Sequence, residues 1–222
     1  MPGAAVGVYM SYSEVFMKIR SLVFIISAVL LAMCASSPST KTNLTNYAPE
    51  NEINYDKYLV DVLSYTSSGK IYHTKYVKVL KGFSKYAVVD HKLELAERSV
   101  GFYFDKKLSD REDLYFGFDF YPDSAIASSA NSYEDNARLM IQRYYENILS
   151  FYGLLEDVMS EKAVKGIVIG MKWKSGGRNE SMTLWVRKQD AADFANKMLT
   201  FKNLVYKTTV TNSEGKIVRI AL

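Results

Sequence analysis

Cysteine is almost absent from this chain, with Cys34 alone among 222 residues. A single cysteine allows no disulfide within the chain and no Cys-based zinc cluster. Histidine is nearly as scarce: only His73 and His91 occur. There is no Gly-x-Ser-x-Gly elbow, no His-Glu-x-x-His helix and no glycine loop of the kind that cradles phosphate. Strong charge is missing too. The formal net charge of +4 at pH 7 is mild, so nucleic acid is not an expected partner. Only one long apolar run exists, so nothing after residue 34 is expected to span a bilayer. From these absences we expect no metal, no cofactor and no catalytic residue of a recognisable type.

That one run gives the chain its address. Lys18 and Arg20 form a short basic head before the apolar stretch Leu22–Met33. The stretch is short for a transmembrane helix, which needs about 20 apolar residues, and suits the apolar core of a secretory signal. It ends in Leu31-Ala32-Met33-Cys34, which resembles the lipobox of bacterial prolipoproteins. Leu31 matches the large apolar position, Ala32 the small one and Cys34 the lipidated residue; Met33 stands where that class prefers Gly, Ala or Ser. The resemblance covers residues 17–34 only. It implies cleavage before Cys34, acylation there, and a lipid bilayer as partner. Ala35 after the cysteine implies sorting to the outer membrane, facing the periplasm. Residues 1–16 carry no positive charge ahead of the basic head and read as an overlong start before Met17.

Residues 34–54 are polar and rich in Ser, Thr and Asn, which predicts a flexible tether after the lipid-bearing cysteine. Residues 55–222 then read as a single α+β domain. Alternation predicts strands over Tyr58–Tyr65, Ile71–Leu80, Ala87–Leu95, Val100–Phe104 and Leu114–Tyr121. In the last of these, Leu114, Phe116, Phe118 and Phe120 share one face. Ser132 with Asp135 three residues later forms a capping signature. It opens a long helix bearing Ala137, Met140, Ile141, Tyr144, Tyr145, Ile148 and Phe151 at three- and four-residue spacing. Ile167–Lys174 and Ser181–Lys188 predict a hairpin around a loop Ser175–Glu180. Asp190 caps a short helix, and Leu204–Thr211 with Lys216–Leu222 predict a second hairpin. The pattern predicts an antiparallel, open and curved sheet with one long and one short helix packed on one side.

Candidate chemistry is thin. His91 falls on the apolar parity of its expected strand, and Asp119 near Asp123 is the closest approach to a carboxylate pair. The acidic loop Asp105, Asp110, Glu112 and Asp113 is interleaved with Lys106, Lys107 and Arg111, and lacks the spacing of a calcium loop. On the first hairpin, the expected register pairs Trp173 with Met182 and sets Trp185 opposite Gly170. Lys172, Lys174 and Arg187 then surround Trp185. A tryptophan on a basic face is a candidate binding patch for an anionic or sugar-containing envelope polymer; the simpler reading is that it covers bare backbone at glycine. Seventeen tyrosines suit a binding surface, being apolar at one end and wet at the other. The sequence therefore points to a membrane-anchored envelope lipoprotein acting as a non-catalytic binding, accessory or assembly module, with an envelope polymer or envelope protein as partner. The alternative is an envelope hydrolase using Asp119 or His91.

Overall fold

The computed structural model describes residues 54–65, 67–104 and 113–222. Cys34, the signal, nearly all of the tether and residues 105–112 of the acidic loop lie outside the described residues.

The domain is α+β with an open seven-stranded sheet. Strand β3, Leu114–Tyr121, is paired on both sides. Alternation does what the sequence predicts: Leu114, Phe116, Phe118 and Phe120 are all buried, while Tyr121 is exposed. Strands β1 (Glu94–Leu95) and β2 (Gly101–Phe104) pair antiparallel with successive parts of β3. On its other side β3 meets β4, Val164–Ser175, in parallel. The sheet continues antiparallel through β5 (Arg178–Arg187), β6 (Thr209–Asn212) and β7 (Ile217–Val218). The β3–β4 pair departs from the expected all-antiparallel sheet. Its cause is the helical run between them, because parallel neighbours need a long crossover.

That run opens with α2 (Tyr133–Met140), capped by Ser132, whose hydroxyl accepts from the Asp135 N–H at 3.1 Å. It continues through a π-turn (Ile141–Tyr145), α3 (Glu146–Leu149), a 3-10 segment (Ser150–Leu155) and α4 (Glu156–Ser160). Gly153 lies in the 3-10 segment, so the expected long helix changes its winding there. Before the sheet comes α1, Ser67–Lys85. Both helical layers lie on the phenylalanine face: Phe83 of α1 packs at ring-centroid distances of 5.0 Å on Phe116, 4.8 Å on Phe118 and 5.8 Å on Phe151. Helices α5 (Lys188–Ala195) and α6 (Phe201–Lys207) follow β5.

Four strand expectations are corrected. Ile71–Leu80 lies within α1, where Tyr76, Val79, Leu80 and Phe83 are buried at helical spacing while Ile71 is exposed. Tyr58–Tyr65 runs from the end of a 3-10 turn, Tyr55–Tyr58 capped by Asn54, through a second at Val62–Ser64 capped by Asp61, and meets the strand region by one bridge, Leu59 to Val100. Ala87–Leu95 yields a π-turn at Tyr86–Asp90 and only the two residues of β1. Leu204–Thr211 begins as α6, capped by Thr200, and becomes strand only at Thr209. The C-terminal strand shrinks to Ile217–Val218.

Candidate functional site

The β4–β5 hairpin sets the geometry of the site. Gly176 and Gly177 have φ of +56° and +81°, the left-handed pair that reverses a hairpin in two residues. The turn is therefore shorter than the expected loop Ser175–Glu180, and the register moves by two. Ser175 pairs with Arg178, Lys174 with Asn179, Trp173 with Glu180, Lys172 with Ser181 and Met171 with Met182. A shift of two keeps every side chain on its expected face and changes its partner. Trp185 thus stands opposite Val168, not Gly170. The space over Gly170 is filled by Asp119 instead, whose Oδ1 lies 2.0 Å from where a Cβ would be.

The four residues of the expected patch share the sheet face away from the helices but do not gather around Trp185. Trp185 is half-buried and meets the Tyr115 ring edge-on at 5.2 Å. Arg187 pairs with Gly166 near one end of the hairpin, whereas Lys172 and Lys174 stand near its tip. The Lys172 ammonium is 2.6 Å from Asp119 Oδ2.

At the tip the two lysines open onto a cleft of about 940 Å³. Strand β3 stops at Tyr121 because Pro122 cannot continue the ladder, whereas β4 runs on to Ser175. The cleft sits at this step, at the carboxyl ends of the parallel pair, where open sheets with crossovers place their crevices. Lys172, Trp173, Lys174, Asn179, Glu180 and Ser181 line it from the hairpin; Tyr121 and Asp123 line it from the end of β3. Lys92 and Glu94 form the far side. Lys92 holds a φ of +54°, a backbone position that a lysine adopts only under constraint. Tyr121 keeps 45% of its surface exposed. Among the described residues, Lys92 and Lys174 enter no ion pair, unlike Lys172.

The walls are fixed from behind. Trp173 stacks on Tyr133 at 6.0 Å and donates its Nε1–H to Glu180 at 2.8 Å. Burial pushes the Tyr133 hydroxyl up to about 12, and it donates to the Ser181 carbonyl at 3.0 Å. Asn136 is completely buried. Its carboxamide donates to Ser175 Oγ and to the Ser128 carbonyl, both at 3.1 Å, and accepts from the Ser128 N–H at 3.0 Å. The loop after β3 is thereby sewn to the hairpin tip. Asp123 caps the next turn by accepting from the Ala125 N–H at 2.9 Å, and its own N–H donates to the Tyr144 hydroxyl at 2.9 Å.

The residues named for an acid–base site are not brought together. Asp119 is on the open face with Lys172. His91 packs between the rings of Tyr86 and Phe151, at 4.6 and 4.3 Å, on the helical side. His73 is buried in α1 with Nδ1 3.2 Å from the Tyr65 hydroxyl. Burial lowers the pKa of both imidazoles. Among the described residues no three His, Cys, Asp or Glu side chains are placed to hold a metal ion, and no helix is long and apolar enough to cross a membrane. Sequence reasoning placed Tyr121 on the polar face without making it part of a site, and weighed Asp123 only as a carboxylate neighbour of Asp119. Lys92 and Glu180 it left out. The usable signal was the Gly176-Gly177 pair, which fixes the tip and hence the overhang of β4 beyond β3. No family model, no curated protein and no solved structure matches the chain.

Proposed function

We propose that the chain is a bacterial envelope lipoprotein, tethered through acylated Cys34 at the outer membrane and facing the periplasm, whose domain is a non-catalytic binding module. Its ligand site is the cleft at the hairpin tip. The observation that carries this reading is the combination found there. An exposed tyrosine ring shares the cleft with two lysines that have no ion-pair partner among the described residues, on walls held rigid by buried hydrogen bonds, which is the preorganisation a binding site needs. The anchor rests on the lipobox-like segment and the polar residues after it. The hydrolase alternative has less support, since Asp119 is held by Lys172 and His91 lies across the sheet from it.

The test is retention of the full chain on washed, detergent-solubilised envelope fractions. Tyr121→Ala combined with Lys174→Ala is expected to lower retention at least tenfold while leaving the circular dichroism spectrum unchanged. Equal retention by wild type and double variant would remove the cleft from the function.

A further inference from the structure

We infer that the cleft is a strand-addition site, taking an extended acidic peptide that pairs with the backbone of Lys172 and Lys174. The inference rests on reading the cleft as the ligand site and names its ligand class. It follows from the register. In a two-residue hairpin the pair flanking the turn exchanges both hydrogen bonds, and bonded and non-bonded pairs then alternate along the strands. Ser175 with Arg178 is that flanking pair. Hence Ser175, Trp173 and Met171 turn their N–H and C=O groups toward β5, and Lys174, Lys172 and Gly170 turn theirs the opposite way, toward β3. The last β3 register position is Phe120 with Met171, which in a parallel ladder occupies the Gly170 carbonyl and the Lys172 N–H. The Lys172 carbonyl and both backbone groups of Lys174 are left facing the cleft. Among the described residues they have no partner.

Such a row of acceptor, donor and acceptor is complementary to one thing above all: another extended backbone. A sugar ring can meet single groups of the row, whereas a strand meets them in sequence. The side chains around the row select which strand. Lys172 and Lys174 project from this edge and Lys92 faces it across the cleft, so a second copy of the same edge would set like charges side by side. A peptide carrying Asp or Glu would find Lys174 and Lys92 instead, and the residue two places along, on the same face of the strand, would lie over the exposed Tyr121 ring.

The experiment selects a random heptapeptide display library on the immobilised full chain, then synthesises the enriched peptides with single N-methyl groups at each amide. N-methylation removes one backbone donor and leaves the side chains in place. We expect enriched peptides to carry Asp or Glu, to lose at least tenfold in affinity when alternate amides are methylated, and to change less than twofold at the intervening ones. The Lys174 amide, which should exchange rapidly in the free chain, should be slowed by the bound peptide. If affinity is lost in Tyr121→Ala but is indifferent to N-methylation everywhere, strand pairing is overturned and the cleft remains the ligand site. If affinity survives Tyr121→Ala, both readings fail. If no peptide is enriched, or only envelope glycan shifts the Trp173 fluorescence, the peptide inference is overturned.

Discussion

Gly117 and Gly170 of the open sheet face both have neighbours directly over their Cα atoms, and those neighbours differ in how they can yield. A Cβ at Gly117 would lie 2.1 Å from Val168 Cγ1 and 2.7 Å from the Val168 carbonyl oxygen. The second contact is backbone, so the strands themselves must move. Gly117→Ala should cost about 2–3 kcal/mol in urea unfolding. At Gly170 the obstruction is the end of the Asp119 side chain, which can swing away and give up its exposed pair with Lys172. Gly170→Ala should therefore cost only about 1 kcal/mol, and equal costs at the two sites would refute this account. The histidines make a second prediction. Burial lowers the pKa of His73 and His91 below the usual 6.5, so the unfolded chain binds more protons than the folded one just below that value. Stability is complete above about pH 6.5 and falls as the pH drops through the lowered folded values. Glu161 and Asp135, whose carboxyls are held low by hydrogen bonds from Lys75 and Ser132 respectively, act in the same direction only in the carboxylate range further down. The melting temperature should thus decrease from pH 7.5 to pH 5.5. His73→Gln with His91→Gln should flatten that slope, and a slope unchanged in the double variant would show that other groups cause it.

Among the elements, the hairpin tip and the loop sewn to it decide the shape of the cleft. Gly177 has open space around it, so Gly177→Ala should cost only the strain of its positive φ, about 1 kcal/mol. At Gly176 a Cβ would also come 2.9 Å from Ser129 Cβ, so Gly176→Ala should cost more and should weaken ligand binding as the loop is pushed away. Asn136→Ala should be worse than either, at about 2–3 kcal/mol, because it empties a fully buried site and removes the hydrogen bond to the buried Ser175 Oγ; calorimetric unfolding ranks the three. Elements with one dominant pattern were legible in the sequence. The Leu114–Tyr121 alternation, the Ser132 cap and the turn at Asn212–Gly215 are of this kind. The stretch Ile71–Val79 was not, because it alternates while its tyrosines and valines also fall at helical spacing; packing of Phe83 on β3 selects the helix. The parallel pair was legible in principle, as strand, long helix and strand in succession describe a crossover. The cleft was illegible because it depends on where two strands end relative to one another, and a two-residue error in the turn hides that.

For the whole molecule the first expectation concerns the address. Cys34→Ser should abolish fatty-acid labelling and release the chain from the membrane fraction, since serine cannot form the thioether; equal label in wild type and variant would refute the lipoprotein reading. The second follows from the parallel pair. A chain exported from its N-terminus delivers β3, with Leu114, Phe116, Phe118 and Phe120 in a row, well before β4 arrives to pair with it. Residues 122–163 must cross first, and that helical run, one of the two layers covering these rings, is itself held in place by β4. For that interval a strand bearing four apolar side chains in a row on one face has an open edge, the state from which chains aggregate. Under the export proposed above, emergence of β4 would race self-association of β3. If the proposed export holds, nascent chains halted after Ser160 should need a holding chaperone on the far side of the membrane, and chains extended past Arg187 should let it go.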